Sequence, residues 1–245
     1  MRIGIAQIKT IAGNFPVSLV HHERFIYTAC KLNTDLLVFP ELSLMGYDPV
    51  QSTKFALKRG DKALERFQEL SNRQKITLGI GVSEKKATGG VGISMFFYQP
   101  RAPQRFYTKQ VLHPDEFPYF EAGTRQVLLH TGGLRICPAI CYESLLPNHA
   151  KQAYRKGANL YLASVAKREA GVATATNHYS WVARTYSMPV IMANSVGSCA
   201  GFESAGESAV WTKSGKLAGK LPAGEEAILI FDTDTEDVQT QAMVT

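Results

Sequence analysis

The sequence predicts an α/β fold in which two β-sheets pack face to face between outer layers of helices, a four-layer α-β-β-α sandwich. Short apolar runs rich in Ile, Val and Leu recur along the chain between polar turns, which is typical of strands. Amphipathic stretches lie between only some of these runs, too few for a barrel in which strands and helices alternate strictly. No linker rich in Pro, Gly and Ser divides the 245 residues, so one domain over residues 1–245 is expected.

Ten short apolar runs bounded by turn residues predict strands. In chain order they are Arg2–Ile8, Asp35–Phe39, Thr77–Ser83, Ile93–Tyr98, Gln104–Thr108, Leu134–Ile140, Asn159–Ser164, Val190–Asn194, Ser208–Thr212 and Ala227–Asp232. Glycine-containing turns are expected to close hairpins between neighbouring strands at Thr88–Gly90, Thr131–Gly133 and Lys213–Gly215.

Four stretches predict helices. The clearest is Val17–Leu32, which places Leu19, Phe25 and Ile26 near one face, as the helical repeat requires. The other three are Lys62–Lys75, Asn148–Lys156 and Ala173–Ser187.

Composition excludes several classes of function. The 27 Lys and Arg residues against 21 Asp and Glu give a net charge of +6, but no long run of like charge occurs. A solvated surface is therefore favoured over a nucleic-acid partner. No apolar stretch approaches the about 18 residues that a membrane span needs, and the N-terminus resembles a strand and not a signal peptide. The four cysteines form no CxxC pair, so reduced thiols and a cytoplasmic location are expected.

Three predicted strands end at a side chain capable of chemistry. Glu41 follows the strand at Asp35–Phe39, Lys109 follows Gln104–Thr108, and Cys141 follows Leu134–Ile140. Strand ends are rigid positions from which side chains enter sites at the edge of a sheet. Taken singly, each residue also has a structural interpretation: a helix-entry acid, a surface lysine or a packed cysteine.

A carboxylate, an ammonium and a thiol gathered together would form a nucleophilic site. The ordinary thiol pKa of roughly 8.5 leaves little thiolate at neutral pH, so Glu41 would accept the proton and Lys109 would stabilise the charge. The thiolate would attack a carbonyl or nitrile carbon, and the Lys109 ammonium and the backbone N–H of Tyr142 would stabilise the oxyanion. His113, His149 and His178 are expected in loops, exposed or hydrogen-bonded, so a Cys–His pair is disfavoured.

The motifs around these residues resemble the nitrilase superfamily, the carbon–nitrogen hydrolases. Phe39–Tyr47 is similar to the segment in which the family carries its catalytic glutamate, Tyr107–Leu112 to that of its lysine, and Cys137–Glu143 to that of its cysteine. Glu116 occupies the position of a further active-site glutamate of the family, which helps orient the lysine and the substrate. The resemblance extends from residue 3 to about residue 232.

The resemblance implies an α-β-β-α sandwich of the nitrilase type, a homodimer paired through its helices, and hydrolysis of non-peptide C–N bonds through a thioester without metal or cofactor. The implied substrate is a small amide. Many members carry an arginine shortly after the cysteine, where this chain has Leu145 or its neighbour. Candidate substrate-binding residues lie in the loops after the strands: Tyr47, Tyr119, Tyr142, Glu143 and Lys167.

Lys167 and its neighbour Arg168 are candidates to meet a substrate carboxylate, although a solvated pair of charges is the favoured interpretation. A basic residue in the pocket would favour an ω-amide of a dicarboxylic acid or a glutamine-like amide. Two alternatives stay open. An N-acyltransferase would pass the same acyl group to an amine instead of water, and a catalytically silent protein would keep the fold as a binding module. The intact Glu41, Lys109 and Cys141 argue against the silent protein.

Overall fold

The computed structural model describes residues 1–243, so the last two residues of the predicted domain lie outside the described residues. The strands are β1 (Arg2–Gln7), β2 (Leu36–Val38), β3 (Thr77–Lys85), β4 (Val91–Tyr98), β5 (Arg105–Thr108), β6 (Leu129–Thr131), β7 (Leu134–Ile140), β8 (Leu160–Val165), β9 (Val190–Asn194), β10 (Val196–Cys199), β11 (Phe202–Ala205), β12 (Ala209–Trp211), β13 (Leu217–Lys220), β14 (Ala227–Asp232) and β15 (Val238–Ala242). The helices are α1 (Phe15–Lys31), α2 (Pro49–Lys54), α3 (Glu65–Gln74), α4 (Pro147–Arg155) and α5 (Glu169–Tyr186).

The strands form two large sheets. The first has the order β15-β14-β1-β2-β3-β4-β5, and the second has the order β13-β12-β9-β8-β7-β6. In each sheet the central pairs are parallel, β1 with β2 and β2 with β3 in the first, and β7 with β8 and β8 with β9 in the second. Strands β10 and β11 form a separate hairpin.

Alternate residues of the central strands face two different apolar layers. In β2, Leu36 and Val38 enter the core between the sheets, whereas Leu37 faces the helices outside. In β8, Leu160 and Leu162 enter the same central core. Both faces of each sheet are therefore buried, which explains why these strands are continuous apolar runs and not alternating ones.

Helices cover the outer face of each sheet. Phe25 and Ile26 of α1 and Phe67 of α3 pack on the first sheet. Ala150 of α4 and Val182 of α5 pack on the second. The arrangement confirms the predicted α-β-β-α sandwich. Among the helices of residues 1–243, none combines the length and apolar character needed to cross a lipid bilayer.

All ten predicted strands and the three glycine turns are present, with ends that shift by a few residues. Each predicted helix is also found, although the first turn of the one at Lys62–Lys75 is a 3-10 turn. The prediction missed β6, β10, β11, β13, β15 and α2, most of which are short and lie at sheet edges.

Candidate active site

Glu41, Lys109 and Glu116 form a buried cluster although Glu41 comes from a different loop than Lys109 and Glu116. Nζ of Lys109 donates to Oε1 of Glu41 over 2.8 Å and to Oε1 of Glu116 over 2.6 Å. All three side chains are essentially inaccessible to solvent. Glu41 follows β2, Lys109 follows β5, and Glu116 lies on a 3-10 turn between β5 and β6. The cluster thus forms beyond the ends of two strands of the first sheet.

Cys141 joins this cluster from the second sheet. It is the first residue after β7 and has a φ of 45°, a left-handed conformation that is strained for a residue with a side chain. Ser144 supports the turn, because its hydroxyl donates to the Cys141 carbonyl. The Cys141 thiol donates weakly to the carbonyl oxygen of Ala166 at 3.9 Å, and the Cys141 and Glu41 side chains are close enough for their charges to interact.

The surroundings change the pKa values of these groups. Burial raises the pKa of the Glu41 carboxyl; Lys109 opposes this effect and Glu116 adds to it, with a net rise. Burial raises the pKa of the Cys141 thiol, and the charge of Glu41 raises it further. Burial lowers the pKa of Lys109, but the charges of Glu41, Cys141 and Glu116 outweigh it, so the pKa lies above its ordinary value. The raised pKa of the thiol favours its neutral form, and the raised pKa of Glu41 makes its carboxylate a stronger base for the thiol proton.

Glu143 has a different position from the one predicted. Its Oε1 accepts from the backbone N–H of Ile140 at 2.8 Å and from the Tyr107 hydroxyl at 2.6 Å. Its Oε2 accepts from the N–H groups of Gln110 at 2.7 Å and Val111 at 3.1 Å. The side chain is fully buried, so it has no free acceptor for a substrate. The prediction that Glu143 contacts substrate is wrong: its carboxylate joins the loops that carry Lys109 and Cys141.

The predicted tyrosines occupy three different environments. The hydroxyl of Tyr47 donates to Oε1 of Glu116 at 3.1 Å, so Tyr47 lies against the cluster. Tyr142 is half-buried, with its ring edge-on to His113 at 5.3 Å between centroids. Tyr119 is 41% exposed. The structure therefore brings Tyr47 into contact with the cluster and leaves Tyr119 on the outer rim of the Glu116 loop.

Lys167 is buried near Cys141, directly after the Ala166 that contacts the thiol. Asn194 fixes its backbone from both sides, accepting from the Lys167 N–H at 2.8 Å and donating to its carbonyl at 3.1 Å. His149 lies in α4 and His178 in α5, and neither is a loop residue as predicted. Only His113 of the three lies in a loop.

Sequence reasoning missed residues that hold the Glu41 loop. Nδ1 of the buried His22 donates to the Ser18 carbonyl at 2.8 Å, and its Nε2 accepts from the hydroxyl of Ser43 at 3.0 Å. Gly81 of β3 lies so close that a Cβ there would be 2.1 Å from the carbonyl oxygen of Pro40. No periodicity marks these residues, because their role depends on contacts between distant segments.

The groove beside β5 is not the candidate active site. It has a volume of about 1330 Å³ and is lined by residues such as Arg59, Lys86, Phe106 and Leu129. It contains neither Cys141 nor the groups that neighbour its thiol.

Comparisons with known proteins identify the family to which the chain belongs. The family model described as carbon–nitrogen hydrolase matches residues 2–243. The glutamine-dependent NAD(+) synthetase of Thermotoga maritima is 23% identical over 245 residues, which cover 97% of this chain and 42% of the synthetase. The chain thus spans less than half the length of the curated relatives it matches.

Solved structures share the fold. An amidase from Nesterenkonia sp. superposes with a TM-score of 0.86 at 23% identity, over 94% of this chain and 89% of the amidase. A cysteine-to-alanine variant of the amidase from Nesterenkonia sp. AN1, in complex with butyramide, superposes with a TM-score of 0.84 at 23% identity and the same coverage.

Proposed function

The chain belongs to the carbon–nitrogen hydrolase family, whose members hydrolyse C–N bonds other than peptide bonds, and from this premise we propose that it is a cysteine-dependent amidase for small carboxamides. One observation supports the proposal most directly. A thiol on a strained strand end lies beside a buried carboxyl group that is hydrogen-bonded to a buried ammonium.

In the first half-reaction, Glu41 accepts the Cys141 proton as Sγ forms a bond to the amide carbon. The carbonyl oxygen becomes an oxyanion, and the Lys109 ammonium and the N–H of Tyr142 stabilise it. When the oxyanion collapses, the C–N bond breaks and the proton held by Glu41 goes to the leaving nitrogen. Ammonia departs and a thioester remains on Cys141.

In the second half-reaction, water replaces ammonia. Glu41 accepts a proton from the water as its oxygen bonds to the thioester carbon, and the C–S bond then breaks. The carboxylic acid leaves, and the proton returns to the Cys141 sulfur. Glu116 contacts Lys109 and Tyr47 and takes no proton in either step; we assign it the positioning of the ammonium.

The relatives support amides as the substrate class. A structural neighbour is an amidase whose cysteine variant binds butyramide, and the matched synthetases depend on glutamine, which carries a side-chain amide. Both comparisons involve a carboxamide. An amide carbon is the kind of group that the proposed thiol, carboxylate and ammonium would attack and stabilise.

The test measures ammonia release from small amides, ω-amides, N-carbamoyl compounds and nitriles. The native protein should release ammonia from amides, and Cys141→Ala should release none. Cys137→Ala is the matched control, because Cys137 is a buried thiol four residues earlier, on the strand that ends just before Cys141. Equal turnover by Cys141→Ala, or no ammonia from any amide with the native protein, would contradict the proposal.

We also propose a homodimer that pairs through α4 and α5. The outer faces of these helices carry an aromatic cluster of Tyr154, Trp181 and Tyr186, with ring centroids 5.1 and 6.1 Å apart in its two contacts. Tyr154 is 52% exposed and Trp181 is 36% exposed in the single chain. Exposed aromatics grouped in one patch are typical of the centre of an interface.

Light scattering tests the pairing at micromolar concentration. Trp181→Arg should convert the dimer to a monomer, whereas Phe55→Arg, which alters an exposed aromatic side chain far from α5 in the chain, should not. A native monomer, or a dimer that survives Trp181→Arg together with Tyr154→Arg, would refute this interface. We further propose that the protein acts in the cytoplasm, where its four free thiols would stay reduced.

A further inference from the structure

Hydrogen bonds hold the backbone of Lys167 just beyond the end of β8, a central strand of the second sheet. Its carbonyl accepts from Asn194 Nδ2 at 3.1 Å and from the N–H of Ala205 at 2.9 Å. The aliphatic part of its side chain lies beside Gly171 in the first turn of α5. If Gly171 carried a Cβ, that atom would lie 3.4 Å from Cβ of Lys167 and 3.8 Å from its Cδ. These contacts come from β9, the β10–β11 hairpin and α5. Together they fix the position of the Lys167 backbone and of the first carbons of its side chain.

The ammonium group of Lys167 has no carboxylate partner. The residue is only 7% exposed, yet no Asp or Glu among residues 1–243 lies within ion-pair distance of its nitrogen. Lys109, which is fully buried, contacts two carboxylates. The Lys167 side chain is thus largely buried and has no ionic partner, so its ammonium group is available to an anionic group that arrives from outside.

The charge of Lys167 acts on the reacting thiol. Against the effects of burial and Glu41, Lys167 lowers the pKa of Cys141, and its influence exceeds that of Lys109. It also acts on His178, whose Nε2 is buried without a hydrogen-bond partner while the ring bonds the Ser144 backbone. Lys167 therefore lies near enough to both Cys141 and His178 for its charge to act on each.

We propose that Lys167 binds a carboxylate of the substrate, so that the amide attacked by Cys141 belongs to a short dicarboxylic acid or a similar anionic amide. This inference rests on the proposed amidase function. The carboxylate forms a charge-assisted hydrogen bond with the ammonium, and the amide carbon at the other end of the short chain lies against Sγ. Lys109 serves the oxyanion, and Lys167 selects the substrate.

An alkylation experiment tests Lys167 without requiring turnover. The probes are 3-bromopropionate and 3-bromopropionamide, which have similar size and differ in charge. The rate of Cys141 modification is followed by mass spectrometry in the native protein, Lys167→Met and Lys167→Arg. Lys213→Met, a change at an exposed lysine, is the matched control. Thermal unfolding verifies that each variant is folded.

The native protein should prefer the anionic probe, relative to a small free thiol, by about tenfold, the size expected for one charge-assisted contact. Lys167→Met should abolish this preference, Lys167→Arg should retain part of it, and Lys213→Met should retain all of it. An unchanged preference in Lys167→Met would overturn the proposal. Equal slowing of both probes would also overturn it, because Lys167 would then act on the thiolate itself.

Turnover provides the second measurement. For the native protein, kcat/KM for succinamate should exceed that for butyramide, and the ratio should fall about tenfold or more in Lys167→Met. Native protein that hydrolyses neither amide would contradict the amidase function, whereas the alkylation result would still decide the role of Lys167. A ratio that Lys167→Met leaves unchanged would contradict carboxylate recognition alone.

Discussion

Two buried carboxylates share one buried ammonium group beside Cys141. Glu41 and Glu116 each accept a hydrogen bond from Lys109, and none of the three is open to solvent. Attraction between such groups is strong because water is excluded, and the cost of leaving one unpaired is correspondingly large. Lys109 therefore serves stability and, in the mechanism proposed here, catalysis, and the two roles can be separated by mutation.

Lys109→Met should reduce both kcat/KM and the free energy of unfolding. Without an oxyanion donor kcat/KM should fall by about 10²–10³-fold. The free energy of unfolding should fall by about 3–5 kcal/mol, because two carboxylates then face each other without a cation. Adding Glu116→Gln should recover part of the stability and none of the activity. Urea unfolding and ammonia release measure the two effects.

Glu65→Gln, a change at an exposed helix residue, is the control and should alter neither quantity. If Lys109→Met combined with Glu116→Gln recovered activity together with stability, Lys109 would act only by offsetting the repulsion between the two carboxylates. That outcome would remove it from the chemical step.

Single residues differ in how well sequence motifs predict their positions. Glu41, Lys109 and Glu116 were predicted from motif resemblance and meet within hydrogen-bond distance. Glu143 was predicted as a substrate contact because it adjoins the nucleophile, but it points away and bonds four donors of the protein. Adjacency in sequence does not determine direction when the residue lies on a tight turn.

At the scale of elements, the Glu143 carboxylate joins the end of β7 to the loop after β5. It accepts from Ile140, the last residue of β7, and from Gln110 and Val111, just beyond β5. These strands belong to different sheets, so the contact fixes how the two sheets meet at the site. A carboxylate suits this place because all of its partners are donors.

Glu143→Gln should weaken that connection. The amide NH₂ would face N–H donors, so the free energy of unfolding should fall by about 2–4 kcal/mol. Because Lys109 would then shift relative to Cys141, kcat should fall while KM changes little. Glu143→Asp, which keeps the charge but shortens the reach, should recover part of kcat. Destabilisation with an unchanged kcat in Glu143→Gln would contradict the positioning role.

Strands with two buried faces could be predicted, and most strands at the sheet edges could not. The apolar run of β7 is buried on both sides and has the predicted bounds. Strand β15, Val238–Ala242, is mostly polar and exposed, and it forms by pairing with β14. The hairpin of β10 and β11 contains glycines and has no apolar run. Their strand conformation comes from tertiary contacts that a local pattern does not carry.

At the scale of the molecule, the two-sheet architecture follows from the number of strands, but their order does not. Strand β1 lies between β2 and β14, with Arg2 opposite Asp232 across nearly the whole chain length. No local signal specifies that pairing. It closes the first sheet around the N-terminal strand and brings the Glu41 loop into line with the end of β7.

Two histidines are buried in this architecture in a form that resists protonation. Burial lowers the pKa of His22 to about 3 and that of His149 to about 4. His22 bonds Ser43 in the Glu41 loop, and His149 lies between the hydroxyls of Tyr107 at 3.0 Å and Tyr161 at 2.7 Å. The first contact connects α1 to the Glu41 loop, and the second connects α4 to β5 and β8, so charging either ring would disturb the packing of a helix.

The stability of the protein should therefore depend on pH in a defined direction. Below the ordinary histidine pKa of about 6.5, the unfolded chain binds protons that the folded chain does not bind. The free energy of unfolding therefore falls as pH falls. For His149 the contribution is complete above about 6.5 and is lost progressively down to pH 4, a total of about 3 kcal/mol. Glu41 and Glu143, whose pKa values burial raises, act in the opposite direction because the folded state accepts their protons first.

Comparison of His149→Gln with the native protein isolates the histidine from these carboxyl groups. Urea unfolding between pH 6.5 and 5 should give a native slope that exceeds that of His149→Gln by about 1 kcal/mol per pH unit. His130→Gln is the control, because His130 is exposed in the folded protein, and it should keep the native slope. Parallel curves for the native protein and His149→Gln would mean that His149 is protonated as readily when folded as when unfolded. The buried contacts with Tyr107 and Tyr161 would then persist around a charged ring, which the two tyrosine hydroxyls alone do not stabilise.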